Sequence, residues 1–408
     1  MQKKTGTPQF MKSMNRAMII DALSKNSPVS QTKICEITGL SRATVSTIVN
    51  ELKQEDLILE VSREISTGGR RQILLKLDEN AGCVVGIDLG GTKMVGAVTN
   101  LNGKFIAKMC RPTQADEGPN AILESLTNVI NALIAKAGVK REKVRGVGIG
   151  VPGVVRAGGI VEWAPNLKWR NLDLAAKLTA AIQRPVFIEN DVNLLALGEY
   201  WYGAAQGVQS MACLAVGTGI GAGLIINGQL YTGVHQAAGE VCNLLVDRSY
   251  LAKDFSQFGC LEMLASGPAI ARQFTEAMQN STGNRNKDNV KDNLIGEKTE
   301  LGESGLTGAE IVFDEAARNH PVAKQIIEEF ARNIAMAIIA ITTVLDPEVV
   351  VLGGGVSQNA GLFRDRILEL CTPVVQVMPR IEVSALGIDA GVMGAIALTL
   401  HHTREKPW

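Results

Sequence analysis

Two stretches of this chain repeat one order of parts. "CVVGIDLGGTKMVGAVTNLNGKFI", from residue 83, reads as a buried strand, a glycine turn, a second strand, an Asn-Gly turn and a third strand. "MACLAVGTGIGAGLIINGQLY", at 211–231, follows the same order. Thr92 precedes Asn102 by 10 residues, and Thr218 precedes Asn227 by 9. An internal repeat of this kind implies two similar lobes with a cleft between them. Strands alternating with helices make those lobes α/β. With 408 residues, the chain is long enough for each lobe to bury its own core.

Each glycine turn has a chemical use. In "DLGGTK", Gly90 and Gly91 let backbone N–H groups face a phosphate, Thr92 adds a hydroxyl, and Asp88 suits Mg²⁺ held through water. Gly217, Thr218 and Gly219 of "VGTGIGAG" can act in the same way from the second lobe. "VVVLGGGVS", at 349–357, ends a buried strand in three glycines, with Gly354 placed to admit an adenosine. Neither turn matches the P-loop or dinucleotide fingerprints, and glycines also make plain tight hairpins. "VFIENDVNLLALGE" sets Glu189, Asn190 and Asp191 at a strand end that opens a helix. Carboxylates there commonly face a ligand, and Asp191 could take a proton from a sugar hydroxyl; an N-cap suits the same position. Asn166, in "APNLKW", is a polyol ligand or a turn asparagine.

The first 80 residues have another character. Met14, Met18, Ile19 and Leu23 share one helical face. Ser30 can cap a second helix that stops at Gly39, and Ser41 can cap a third. In that third helix Val45, Ile48, Val49 and Leu52 form an inward stripe, leaving Arg42, Thr44, Ser46 and Thr47 on the other side. Two short helices joined at a glycine make a helix-turn-helix, whose second helix reads bases from its N-terminal residues. "LILEVSREISTGGRRQILLKL" then alternates, breaks at Gly68–Gly69 and alternates again, as a hairpin wing with Arg70 and Arg71 at its tip. Two arginines there suit phosphates or a narrow minor groove. A small helical bundle with a surface hairpin is the plainer reading of the same pattern.

Charge neither favours nor excludes nucleic acid, because Lys+Arg and Asp+Glu balance at 41 each. No apolar N-terminal run resembles a signal peptide, and "IAMAIIAITTVL" is too short to span a bilayer. The seven cysteines show no paired spacing and read as reduced thiols of a cytoplasmic protein with no membrane partner.

The winged helix with "GGRR", followed by "GIDLGGTK", "GVPGVV", "APNLKW", "IENDVN", "VGTGIGAGLI" and "GE…GCLE", resembles the ROK family of repressors, open reading frames and sugar kinases. The N-terminal domain places the resemblance with the repressor branch, nearest the xylose repressors of Gram-positive bacteria. It implies a winged helix-turn-helix at 1–80, followed by a duplicated two-lobe actin/hexokinase-like ATPase fold. The first lobe would span 81–190, rejoined by a C-terminal helix at 388–402, and the second 191–387. It further implies a sugar-responsive regulator of carbohydrate utilisation, bound to a palindromic operator as a homodimer or within a tetramer.

By the same resemblance Asn166, Asn190, Asp191, Glu240, Asn243 and Glu262 meet the sugar, with Asp191 at the kinases' catalytic-base position. Asp88, Gly90, Gly91, Thr92, Gly217, Thr218, Gly219 and Gly354 fall in the ATP motifs, which leaves ATP-Mg binding and sugar kinase activity open. Ser41, Arg42, Thr44, Ser46, Thr47, Arg70 and Arg71 would meet DNA. One stretch departs from the family pattern. Its zinc loop has a histidine and three cysteines, where this chain has Asn243, Lys253, Phe255 and Cys260. A tetrahedral site needs four donors, so no zinc is expected. Apolar packing by Leu244, Leu245, Val246, Tyr250, Leu251, Phe255 and Phe258 is expected to order the loop instead.

Overall fold

The computed structural model describes residues 8–63, 73–78, 80–255, 258–281 and 308–405. It divides into two compact units: 1–191 with 395–408, and 192–394.

The first unit begins with α1 (Pro8–Asn26), β1 (Val29–Ser30), α2 (Gln31–Thr38) and α3 (Arg42–Gln54). The caps read from the sequence are in place. Ser30 Oγ accepts the Lys33 N–H at 3.3 Å, and Ser41 Oγ accepts the Thr44 N–H at 3.2 Å. Gly39 ends α2 at φ 70°, returning its N–H to the Cys35 carbonyl. That left-handed conformation costs glycine nothing and gives α3 its turn away from α2. The buried residues of α3 are Val45, Ile48, Val49 and Leu52. The wing strands β2 (Ile58–Arg63) and β3 (Ile73–Leu77) pair antiparallel. A strand the sequence did not signal, β1, joins their sheet through Val29 opposite Leu75. The expected wing tip, including Gly68, Gly69, Arg70 and Arg71, lies outside the described residues.

Next come β4 (Cys83–Leu89), β5 (Lys93–Asn100), β6 (Phe105–Pro112), α4 (Pro119–Lys136) and β7 (Val144–Val151). A three-stranded sheet of β8 (Val154–Arg156), β9 (Ile160–Ala164) and β10 (Trp169–Asp173) follows. After it run α5 (Leu174–Ile182), β11 (Val186–Asn190) and α6 (Asp191–Tyr202). The main sheet has the order β11-β7-β4-β5-β6. Ile122, Leu126, Ile130 and Leu133 of α4 are fully buried in this unit's apolar core. Burying each such side chain contributes about 1.5–3 kcal/mol relative to exposure.

The second unit repeats that plan. It contains β12 (Met211–Val216), β13 (Ile220–Ile226), β14 (Gln229–Leu230), α7 (Cys260–Ala265), α8 (Gly267–Ser281), α9 (Ala309–Ala317), α10 (Pro321–Leu345), β15 (Val349–Gly353), α11 (Arg364–Cys371), β16 (Arg380–Val383) and α12 (Ala390–Glu405). Its sheet order is β14-β13-β12-β15-β16. In both sheets the first strand is central. It lies antiparallel to the second, and the two later strands add in parallel on its other side. The repeat seen in the glycine turns is therefore a repeat of whole sheets.

Helices α6 and α12 meet backbone to backbone. A Cβ on Gly198 would overlap the Ala390 carbonyl, and one on Gly394 would overlap that of Leu194. Glu199, fully buried on α6, joins the same assembly. Its carboxylate accepts from Ser384 Oγ at 2.5 Å and from the N–H groups of Ala204, Leu386 and Ala385 at 2.8, 3.1 and 3.2 Å. Four donors satisfy a charge that would otherwise be costly to bury.

Candidate functional site

In the first unit the parallel strands β4, β7 and β11 end side by side. Asp88 pairs in register with Gly150, Glu189 also with Gly150, and Asn190 with Val151. This is the sheet edge where open α/β folds place ligands. Asn190 Nδ2 donates to the Gly153 carbonyl at 3.0 Å, and Asp191 follows as the first residue of α6. The turn between β4 and β5 closes with the Gly90 N–H on the Lys93 carbonyl at 2.9 Å, while Thr113 Oγ1 donates to the Gly90 carbonyl at 2.6 Å. A Cβ on Gly91 would stand 3.6 Å from that of Asn166, so the phosphate turn and the "APNLKW" segment meet. Thr92 and Asn166 are exposed. Burial raises the Asp88 carboxyl to about 6, against a smaller opposing pull from Lys93.

In the second unit the Gly217 N–H donates to the Gly219 carbonyl at 2.9 Å. The Gly267 N–H, opening α8, donates to the Gly217 carbonyl at 2.8 Å. Gly354 has φ 80°, and a Cβ there would overlap the Val216 carbonyl. A Cβ on Gly217 would lie 3.9 Å from the Gly355 nitrogen, and one on Gly355 would meet nothing within 4 Å. These residues fit a magnesium nucleotide. The first unit offers a desolvated carboxylate at a strand end, and both units offer side-chain-free turns. Such a group would supply a phosphoryl donor. This chain would contribute backbone N–H groups from Gly90–Thr92 and Gly217–Gly219, with Asp88 toward the cation.

Beside the second turn stand two acids. Glu262 Oε2 accepts the Ile220 N–H at 2.8 Å, and a Cβ on Gly219 would reach that oxygen at 2.7 Å. Burial raises the Glu262 carboxyl; the Ile220 bond opposes this and nearby Glu240 adds to it. Cys242 donates its thiol to Glu240 Oε2 at 3.4 Å. Burial, then Glu240 and Glu262, push that thiol up to about 12, so it remains a donor at neutral pH. Gly259 fits flush against this turn, where a Cβ would be 2.9 Å from Asn243 Oδ1. Glu240, Cys242, Asn243 and Glu262 are thus one cluster. Cys242 is the member that sequence reasoning passed over, because no spacing marks it.

The residues at the family's zinc positions do not fit zinc, since Cys260 is the sole thiol among Asn243, Lys253, Phe255 and Cys260. Among the described residues no group of three or more His, Cys, Asp or Glu is placed to hold a metal ion. The loop's packing differs from the expectation. Leu244 and Val246 pack on the core, but Leu251 is 74% exposed, and Leu245 and Phe258 also face solvent. An aromatic cluster takes up the middle. The Tyr250 and Phe255 rings meet edge-on at 5.8 Å, and the Lys253 ammonium lies 4.3 Å from the Tyr250 ring centroid. Apolar periodicity could not foresee a lysine as part of that packing.

On α3, Ser41, Arg42 and Thr47 are exposed, while Thr44 and Ser46 are half-buried. The Ser41 and Thr44 hydroxyls are 2.9 Å apart, and Thr47 Oγ1 donates to the Ala43 carbonyl at 3.0 Å. Three of the four hydroxyls thus help hold the helix's own first turns. No described helix is long and apolar enough to cross a membrane.

Known proteins match this architecture. The ROK family model matches residues 84–402, and a MarR family model matches residues 12–72. The chain is 30% identical over 401 residues to a putative xylose repressor of Caldicellulosiruptor sp. (strain Rt8B.4), covering 97% of each chain. A crystal structure of a ROK family transcriptional regulator, a homolog of the E. coli MLC protein, superposes with a TM-score of 0.81 at 22% identity, over 97% of each chain. A ROK family glucokinase from Streptomyces griseus, in complex with glucose and AMPPNP, gives a TM-score of 0.63 at 29% identity, over 78% of this chain and 99% of that one. The fold is a MarR-like winged helix followed by a ROK actin-like ATPase body. From its first strand of the repeated body to its last helix, with a winged helix ahead, this chain belongs to the ROK family.

Proposed function

We propose that this protein is a sugar-responsive transcriptional repressor of carbohydrate utilisation genes, acting in the cytoplasm as a homodimer on a palindromic operator. One observation carries the reading: a capped recognition helix precedes a ROK body, and the whole length aligns with a protein named as a repressor. Arg42 and Ser46 of α3 would make the base contacts, because Ser41, Thr44 and Thr47 already serve the helix. The effector is an aldose, with xylose the first candidate. Asn166, Asn190 and Asp191 would take hydroxyls in the first unit, and Glu240, Asn243 and Glu262 in the second.

Arg70 and Arg71 supply a direct test. Replacing both with alanine is expected to weaken operator binding and to flatten the salt dependence by a slope of about 2, one counterion for each lost phosphate contact. Fluorescence anisotropy across a salt series reads both. Unchanged affinity and slope would remove the wing from the DNA interface.

A second reading has its own support. The intact "DLGGTK" turn with Asp88 beside Asn190–Asp191 suits a sugar kinase. It requires ATP-dependent sugar phosphorylation that disappears in Asp191→Asn.

A further inference from the structure

The junction between the winged head and the first lobe lies within one unit and is built around buried charge. Arg16 of α1 is only 4% exposed. It donates through Nη1 to Glu55 Oε1 at 3.1 Å and through Nη2 to Glu55 Oε2. Glu55 is the residue that ends α3, with its N–H on the Glu51 carbonyl. One two-pronged ion pair therefore fixes the end of the recognition helix to α1.

The other side of the junction comes from β7. Arg145 Nη2 donates to the Ala81 carbonyl at 3.0 Å, and Lys143 Nζ donates to the Asn80 carbonyl at 3.0 Å. Gly82 lies flush under Arg145: a Cβ there would be 2.6 Å from Nε and 2.9 Å from Cγ. The connector that leaves the wing is thus gripped by two side chains at the start of β7. Burial lowers the Arg145 pKa, Glu55 opposes this, and Arg16 and Arg184 add to it. Arg145 therefore sits within electrostatic reach of the carboxylate that Arg16 already holds.

The far end of β7 lies in the candidate ligand site. Gly150 pairs with Asp88 and Glu189, Val151 pairs with Asn190, and Gly153 just beyond accepts from the Asn190 side chain. From Arg145 to Val151 is roughly 20 Å of extended strand. It runs between β4 and β11, and Gly146–Val151 are buried. A strand hydrogen-bonded on both sides shifts as a body rather than bending.

We propose that Glu55, shared between Arg16 and Arg145, is the positioning residue through which occupancy of the Asn190 site sets the recognition helix, with β7 as the strut between them. This rests on the sugar-responsive reading. The ligand acts only if it favours one placement of the strut, and coupling of this kind is typically about 5- to 150-fold in affinity.

The test uses the full chain and an operator duplex selected by the wild-type protein from random-sequence DNA. Operator affinity is measured with and without D-xylose and D-glucose, and sugar affinity separately by calorimetry. In Glu55→Gln and Arg145→Gln, sugar affinity and sugar-free operator affinity are expected to stay within about threefold of wild type, while the sugar-induced change falls below about twofold from a wild-type value of at least about fivefold. Arg145→Lys, which keeps the charge but loses the fork, is expected to fall between. A full sugar response in both glutamine variants overturns the proposal.

Hydrogen exchange in the apo protein gives a readout that does not depend on the effector. Residues 80–83 and the end of α3 are expected to exchange faster in both glutamine variants, with the rest of the sheet unchanged. Unaltered exchange there also overturns the latch. A wild-type protein that binds operator but ignores sugar, yet shows the exchange change, refutes the sugar-responsive reading and leaves the latch standing as a fixed joint.

Discussion

Glu199→Ala is expected to destabilise the protein by about 3–5 kcal/mol, because it strands donors from one side chain and three backbone N–H groups in a buried place. The carboxylate of Glu199 ties the C-terminal turn of α6 at Ala204 to the segment after β16 at Ser384, Ala385 and Leu386. Glu199→Gln keeps one acceptor oxygen and the shape, so its loss should be about half as large. Urea unfolding of the two variants measures the difference. A loss below about 1 kcal/mol in the alanine variant would mean that water or a neighbour replaces the carboxylate.

Asp88→Asn is expected to move stability the other way. The Asp88 carboxyl titrates near 6 in the folded chain against an ordinary 3.8, chiefly because it is desolvated. Its protonated form is favoured on folding. The stabilising contribution is fully present below about 3.8 and is lost as pH rises through 6. At pH 7.5 the wild type carries the charge at a cost the asparagine avoids. After allowance for partial solvent screening, the variant should gain about 1–2 kcal/mol at pH 7.5 and almost nothing below pH 4. Denaturation at both pH values reads this, and an equal gain at both would contradict desolvation as the cause. Addition of ATP-Mg²⁺ should stabilise the wild type more than the variant if Asp88 faces the cation. Local destabilisation at a functional carboxylate is a common trade between stability and binding.

The parts of this fold legible from sequence are those written in local chemistry. Ser30, Gly39 and Ser41 announced their caps, and the stripe Val45, Ile48, Val49 and Leu52 is the buried face of α3. The paired turns at Gly90–Gly91 and Gly217–Gly219 pointed to duplication, and the two sheets share one strand order. What stayed hidden depends on residues far apart in the chain. The two-residue strand β1 exists because β3 offers it a partner, not because Val29–Ser30 prefers to be extended. Arg16, Glu55 and Arg145 look like ordinary surface charges until the fold brings them together. Glu199 reads as an exposed helix residue, although four donors from distant loops converge on it.

The candidate site divides along the same line. Asp88, Asn190 and Asp191 were readable because strand ends followed by glycine or acid are conspicuous in sequence. Glu240 and Glu262 were reached only through family resemblance, since 22 residues separate them. That Cys242 joins them required coordinates, because a thiol donating to a carboxylate two residues away depends on the turn at 241–243. The loop packing was misjudged in the same region. Hydrophobicity predicted inward leucines, whereas the backbone turns Leu245 and Leu251 outward and places Lys253 over Tyr250.

Function and fold meet in one titration. The full-length protein is added to a fluorescent operator duplex at fixed salt, alone and with each of a panel of aldoses, with sugar binding followed in parallel by calorimetry. Specific binding in the range of about 10⁻⁸–10⁻¹¹ M, weakened at least about fivefold by the same aldose that binds calorimetrically, is the predicted result. An aldose that binds, is phosphorylated in an Asp191-dependent manner and leaves DNA affinity unchanged would contradict it.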